Sequence, residues 1–432
     1  MPLKFSQRQL IIIGAGVVFV VVIIAAVILN TRPKQSNGPA AKLSVWGTEP
    51  AESFSPIATA YPYATVKYTH IDPANYQSQL LAALAAGAGP DVFEIGNRQL
   101  PKWRAVLAPM PATYAQTFGP LTLSGIFPDV VAQDFTDGTS TYGLPLSIDT
   151  LAMIYNKDLF NTAGIALPPK TWNDFDSDIV QLRAVNSSGQ ITQAAAAIGG
   201  SETSIPNAPD ILSLLMLQNG TMMTDSKNTS AQFAAGNGEG LAAFNFYLQF
   251  ANSGSPYYTW NDAMGNAFDS FVAGKTAIIF AYESDLATIK AKAPFMNIGI
   301  AAMPQPSGAT LAVNYPQYEG FVAAKAGAQV STAWNFILYL TTSDSIEKSY
   351  VTATGEPPAQ RVEIQADEND PNLSVFATQA LTAKSWYQPD DAQVSNIMNT
   401  AIANVLDGAQ DSPHALNQAQ AAVDSILYSN GQ

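Results

Sequence analysis

Two different hydrophobic patterns divide the chain. From Leu10 to Leu29, 20 residues pass without a charged or strongly polar side chain. At 1.5 Å of rise per helical residue, such a run spans the roughly 30 Å hydrocarbon core of a bilayer. Residues 10–29 are therefore expected to form one transmembrane helix, with residues 1–9 as a short cytoplasmic end. Residues 30–42 are rich in Pro, Gly and polar side chains, as a linker to an extracytoplasmic body would be. A cleaved signal peptide is the alternative. Its apolar region is usually 7–15 residues and is followed by small residues, unlike the Val27-Ile28-Leu29-Asn30 end seen here.

Beyond the linker the apolar runs are short. Leu43-Ser44-Val45-Trp46 alternates as a strand, and residues 66–70 and 91–95 read as two more. Between the last two, residues 76–86 place Leu80, Leu81 and Leu84 on one helical face, and the stretch from Gly87 to Pro90 ends it. A β-α-β opening of this kind predicts an open α/β sheet with mostly parallel strands. Ligands of such sheets lie beyond the carboxyl ends of the strands. That rule singles out Trp46 and Glu49 after the first strand, and Glu94 and Asn97 around the end of the third.

Residues 142–175 read as a crossing between two lobes. Gly143 and Pro145 punctuate the stretch, with Pro145 as the hinge, and the apolar run Leu151, Met153, Ile154, Tyr155 follows. Thr171 then caps a helix, with Asp174 at its third position in a capping-box spacing. Asp149 lies in an apolar, strand-like context, where a carboxylate must be paired, hydrogen-bonded or open to a cleft. Further on, residues 277–281 form a buried-strand pattern that ends in Tyr282-Glu283. Residues 304–316 read as a second crossing. The expected division is lobe 1 from residues 43–145 and 318–360 and lobe 2 from residues 146–310, with C-terminal helices in 361–432 packing across both.

Composition narrows the chemistry. With 47% apolar and only 12% charged residues over 432 positions, the chain has the make-up of a folded protein large enough for two lobes. The net charge is −14, yet Lys4, Arg8, Arg32 and Lys34 all fall in the first 34 residues, where no acid occurs, so the body is more acidic still. That surface repels phosphate backbones and argues against nucleic acid. Cysteine is absent, which removes disulfides, thiolate metal sites and thiol nucleophiles. Gly274-Lys275-Thr276 lacks the earlier glycine of a phosphate loop, because Asp269 stands there. Asp174, Asp176 and Asp178 imitate a calcium loop, but Ile179 occupies the glycine position. With only His70 and His414 present, no metal, cofactor or catalytic triad is expected. Glycoside hydrolysis needs only two carboxylates, and Glu49, Glu94, Asp149 and Glu283 keep that reaction open as an alternative.

The words YNKDLF (residues 155–160), AGI (163–165) and PPKTW (168–172) resemble the point at which extracellular solute-binding proteins of the maltose-binding type pass from their first lobe to their second. The resemblance extends over about residues 43–428. It implies a two-lobed α/β fold of the periplasmic-binding-protein type II, with a hinge and an interlobe cleft. Asp149 then aligns with an acid that holds sugar hydroxyls. Tyr282 takes the place of an aromatic on which the sugar rests, a Trp in many relatives, and Trp386 falls in the segment that lends the cleft another. In this picture Trp46, Tyr282 and Trp386 cover the sugar faces. Glu49, Asn97 and Asp149 bond its hydroxyls, with Glu94 and Glu283 alongside. The resemblance also implies a monomeric binding protein that is not an enzyme, takes a carbohydrate and passes it to the permease of an ABC transporter. An anchored sensor or adhesion module on the same fold is the alternative.

Overall fold

The computed structural model describes residues 41–366 and 370–430; the expected membrane helix at residues 10–29 lies outside them. No helix among the described residues is long and apolar enough to cross a membrane.

Two mixed sheets organise the body. In the first lobe the strands run in the order Ala64–His70, Ala41–Gly47, Val92–Gly96, Glu319–Ala324 and Leu107–Ala108, with Gly143–Leu144 also pairing to Glu319–Ala324. In the second lobe the order is Ala184–Val185, Ile191–Ala196, Thr276–Ala281, Ala152–Asn156 and Ile298–Ala301. The expectation of mostly parallel strands is corrected here. Ala41–Gly47 is parallel to both of its neighbours, but Glu319–Ala324 is antiparallel to all of its partners, and Ala152–Asn156 is antiparallel to both of its own. The cause is the path of the chain. A strand that arrives from the opposite lobe enters its sheet from the cleft edge, where the parallel strands end, and so must run against them.

Local chemistry fixes the elements. Leu43 and Val45 are buried while Ser44 and Trp46 are half-buried, as the alternation requires. Asp72 caps the helix Pro73–Ala85 by accepting from the Ala74 N–H at 2.9 Å, with Pro73 at the first position. The capping box at Thr171 and Asp174 is formed in both directions, and Trp172 behind it is buried.

Three segments join the lobes. Asp149–Thr150 pairs antiparallel with Pro316–Gln317, and Ser147 bridges to Pro358, where the Ile148 N–H donates to the Pro357 carbonyl at 3.2 Å. Pro145 is buried four residues ahead of the first of these strands. Each lobe has its own apolar core, and the C-terminal segment contributes to both. Ile364, Ala377 and Ala380 pack in the first core, while Phe376, Trp386 and Met398 pack in the second. Adjacent residues Phe376 and Ala377 thus point into different lobes.

Candidate functional site

The carboxyl ends of the first-lobe strands meet second-lobe helices across the joining segments, and the space between them is hollow. A cavity of about 850 Å³ is walled by Asn97, Arg104 and Asp134 of lobe 1, Met223 and Lys227 of lobe 2, and Trp386 and Gln388 of the C-terminal segment. A second cavity, of about 240 Å³, is lined by Glu202, Asp210 and Ser213 together with Gln317 and Asp391. Arg98 and Gln388 line both cavities and form the partition between them.

That partition ties the lobes together. Arg98 follows the strand Val92–Gly96, and its Nη1 lies 3.0 Å from Oδ1 of Asp210, in the first turn of the second-lobe helix Ala208–Gln218. The other Asp210 oxygen accepts the Tyr282 hydroxyl at 2.7 Å. The guanidinium also sits 5.2 Å from the centre of the Tyr315 ring, whose hydroxyl accepts from Gln388 at 3.2 Å. Two further ties join lobe 1 to the C-terminal helix Asp391–Leu406 and its cap. Gln99 donates to Asp391 Oδ2 at 2.9 Å, and Lys102 lies 3.2 Å from Asp390. Asp391 Oδ1 is buried at the smaller cavity without a protein partner.

Beside the joining strands the site is acidic. Glu94 is 3% exposed, and its Oε2 accepts from the Thr48 N–H at 2.8 Å. Gly47 allows this approach, because a Cβ there would stand 2.7 Å from the same oxygen and 2.8 Å from the Tyr68 hydroxyl. Thr48 also donates to Glu319 at 3.0 Å, and Tyr350 lies between Glu49 and Glu356, at 2.9 and 2.8 Å. Burial, with Glu356 next to it, pushes the Glu49 carboxyl up to about 8. Burial, then Glu319 and Glu49, hold Glu94 well above the usual carboxylate range. Burial, then Glu356, raise Glu283 to about 7.

Asp149 stands at the turn into lobe 2. It accepts from its neighbour Thr150 at 2.8 Å, from Glu283 at 3.0 Å and from Ser284 at 3.1 Å, so it caps the helix Glu283–Lys292 from another strand. Burial outweighs these donors and raises its carboxyl to about 8. Asp149→Ala is expected to cost about 1 kcal/mol, the usual worth of a cap. Urea unfolding checks this, and the variant should keep its native fold. A pH effect follows from the same groups. Glu49, Asp149, Glu283 and the buried Glu347, itself raised to about 8 by burial, all bind protons more tightly in the folded chain than in the unfolded one. Their stabilising contribution is complete below the ordinary carboxylate range and is lost as pH rises through about 7 to 8. The urea midpoint should be higher at pH 5 than at pH 9.

The candidates from the sequence distribute unevenly. Glu49 and Glu94 fall in the acidic group, Asn97 in the larger cavity, and Asp149 and Glu283 at the helix start facing Glu356. Asn97 donates to Asp134 at 3.0 Å, and Asp134 also accepts from Tyr318 at 2.8 Å and from Ser385. Trp386 borders the larger cavity although only 5% exposed. Tyr282 is 1% exposed and gives its hydroxyl to Asp210, so its ring is inside the wall rather than on it. Trp46 packs half-buried against the first core and borders neither interlobe cavity. Sequence reasoning missed Arg98, Asp134, Asp210, Glu319 and Glu356. Arg98 had a usable signal, since it directly follows Asn97 beyond a strand end.

Comparisons with known proteins agree with this geometry. Residues 47–347 match the family model described as bacterial extracellular solute-binding protein. A binding protein of Brucella abortus is 25% identical over 358 residues, which cover 81% of this chain and 82% of that one. The multiple sugar-binding protein of Streptococcus mutans is 24% identical over 298 residues, 64% of this chain and 67% of that one. The solved sugar-binding protein MalE of Xanthomonas citri superposes over 90% of this chain and 98% of its own, with a TM-score of 0.74 at 21% identity. With a family model covering most of its length and a two-lobed architecture around a hollow cleft, the chain belongs to the bacterial extracellular solute-binding protein family.

Proposed function

We propose that this chain is the membrane-anchored, substrate-capturing component of an ABC importer, which takes a neutral sugar or oligosaccharide between its lobes and delivers it to the permease. The observation that carries the reading is the cavity of about 850 Å³ with walls from both lobes and from the C-terminal segment. A ligand there touches both sides of a hinge, and its contacts with both favour closure. Polar groups fixed by other polar groups, such as Asn97 and Asp134, suit hydroxyls that both donate and accept. Asn97 and Trp386 border this cavity directly. The sugar ligands named for the Streptococcus and Xanthomonas relatives support the carbohydrate class. The apolar run at residues 10–29 supports the anchor.

Binding rather than hydrolysis is favoured because the acids are already engaged. Glu49 and Glu356 are tied to Tyr350, Glu94 to Thr48, and Asp149 to a helix start. The test is a titration of the full-length chain in detergent with neutral oligosaccharides, following tryptophan emission. A saturable change without turnover is expected. No response to any sugar, together with saturable binding of a peptide, would overturn the sugar assignment, and release of shortened sugars would overturn the assignment as a non-enzyme.

A further inference from the structure

Where the two interlobe cavities meet, the side chains between them are engaged with one another. Arg98 and Gln388 border both, with about 850 Å³ on one side and about 240 Å³ on the other. One Asp210 oxygen is 3.0 Å from the Arg98 Nη1, and the second accepts the Tyr282 hydroxyl at 2.7 Å. Gln388 donates to the Tyr315 hydroxyl at 3.2 Å, and the Arg98 guanidinium stands 5.2 Å from the centre of the Tyr315 ring. Trp386 borders the larger cavity and gives its indole N–H to Ser213, which borders the smaller one, at 3.4 Å. Ser213, Tyr282, Tyr315 and Gln388 are all buried. Together these contacts make a continuous wall.

The wall is built from both lobes. Arg98 follows the lobe 1 strand Val92–Gly96, whereas Asp210 lies in the lobe 2 helix Ala208–Gln218 and Tyr282 caps the lobe 2 helix Glu283–Lys292. It is therefore complete only when the lobes meet. A group lying across the line from Arg98 to Asp210 separates two charged side chains that are only 14% and 19% exposed, and an ion pair so placed is costly to leave unmade.

The wall offers a sugar few new partners. Both Asp210 oxygens already accept, and the Tyr282 hydroxyl already donates. Beyond it the lobes are tied again: Asp391, which lines the smaller cavity, accepts from Gln99 of lobe 1 at 2.9 Å, and Lys102 lies 3.2 Å from the adjacent Asp390. On the near side, the larger cavity falls within the range of roughly 300–1,000 Å³ usual for small-molecule sites, whereas the smaller lies below it.

We propose that this chain recognises the end of a linear oligosaccharide: the terminal ring abuts the wall of Arg98, Asp210 and Gln388 from the side of the larger cavity, and a chain that continues past the wall is excluded because it keeps the lobes from meeting there. Arg98 and Gln388 are then specificity-determining residues, acting by where they stop the ligand. The assignment rests on the sugar reading above.

The test is a calorimetric titration of the full-length chain in detergent with maltotetraose and with mannotetraose. Each is used free and in a form blocked at both ends, by a benzylidene acetal on the nonreducing ring and an aryl group on the reducing one. The parent should bind the better free sugar about tenfold or more tightly than its blocked form, the discrimination a closed pocket makes against a group it has no room for. Arg98→Ala combined with Asp210→Asn removes the ion pair without leaving a lone charge in the wall. Gln388→Ala thins the wall from the other side with the ion pair intact, and carries the test should the double variant fail to fold. In both, the ratio of free to blocked affinity should fall toward one, a change that a general loss of stability does not produce. Equal binding of free and blocked sugars by the parent, or an unchanged ratio in the variants, would overturn the inference. A parent that binds neither free tetrasaccharide overturns it as well, and titration with monosaccharides then decides separately whether the sugar reading stands.

Discussion

Replacing Asp210 with alanine is expected to destabilise the folded chain by about 3 kcal/mol, because it leaves a largely buried cation without its counter-ion. The Arg98 and Asp210 side chains are only 14% and 19% exposed, and their 3.0 Å contact is the ionic link across the partition between the two cavities. The same change strands the Tyr282 hydroxyl, which is fully buried and donates to the second Asp210 oxygen. Asp210→Asn retains the volume and one acceptor but leaves the same cation without its counter-ion, so it should cost only somewhat less. Urea unfolding of both variants beside the parent checks the order. An alanine variant as stable as the parent would show that solvent reaches Arg98 freely and that the partition is not a structural tie.

Trp172→Ala should cost about 3 to 5 kcal/mol, the range for removing a large aromatic from a packed core. Trp172 stands edge-on to Phe175 and Phe246, with ring centres 5.2 and 5.5 Å away, and its indole N–H donates to Gln218 at 2.6 Å. Gln218 in turn donates to the carbonyls of Pro304 and Val313, both at 3.0 Å. The indole therefore secures a polar relay under the second crossing as well as the core of lobe 2. Unfolding of the variant by urea or heat should occur at a markedly lower midpoint, and Trp172→Phe should recover most of the packing but not the relay. A loss below 1 kcal/mol for the alanine variant would mean that the site collapses around the gap.

How far the sequence speaks differs between the scaffold and the cleft. The strands, the Thr171 cap and the two-lobed architecture were legible because each depends on near neighbours in the chain: alternation at Leu43 to Trp46, a hydroxyl three residues before an acid, and glycine and proline at a crossing. Sheet direction was not, because Glu319–Ala324 runs against its neighbours for a reason that lies in the other lobe. The cavity walls depend on contacts between distant segments. The strand-end rule reaches Asn97, which lines the larger cavity, but Asp134, to which it donates, is supplied by a segment 37 residues on. Tyr282 shows the limit of reasoning from residue type. Its place at the end of a buried strand was readable, whereas the orientation of its ring was decided by Asp210, 72 positions earlier. The capping role of Asp149 comes from the same long-range geometry, since the helix it caps begins 134 residues later.

The most direct test of the account is a crystal structure of the chain grown with the oligosaccharide that gives the strongest emission change. The account predicts the sugar between the lobes, touching both of them, within reach of Asn97 and Trp386 and next to the Arg98–Asp210 partition. A sugar bound on the outer face of a single lobe, with the interlobe cavity unchanged, would contradict it.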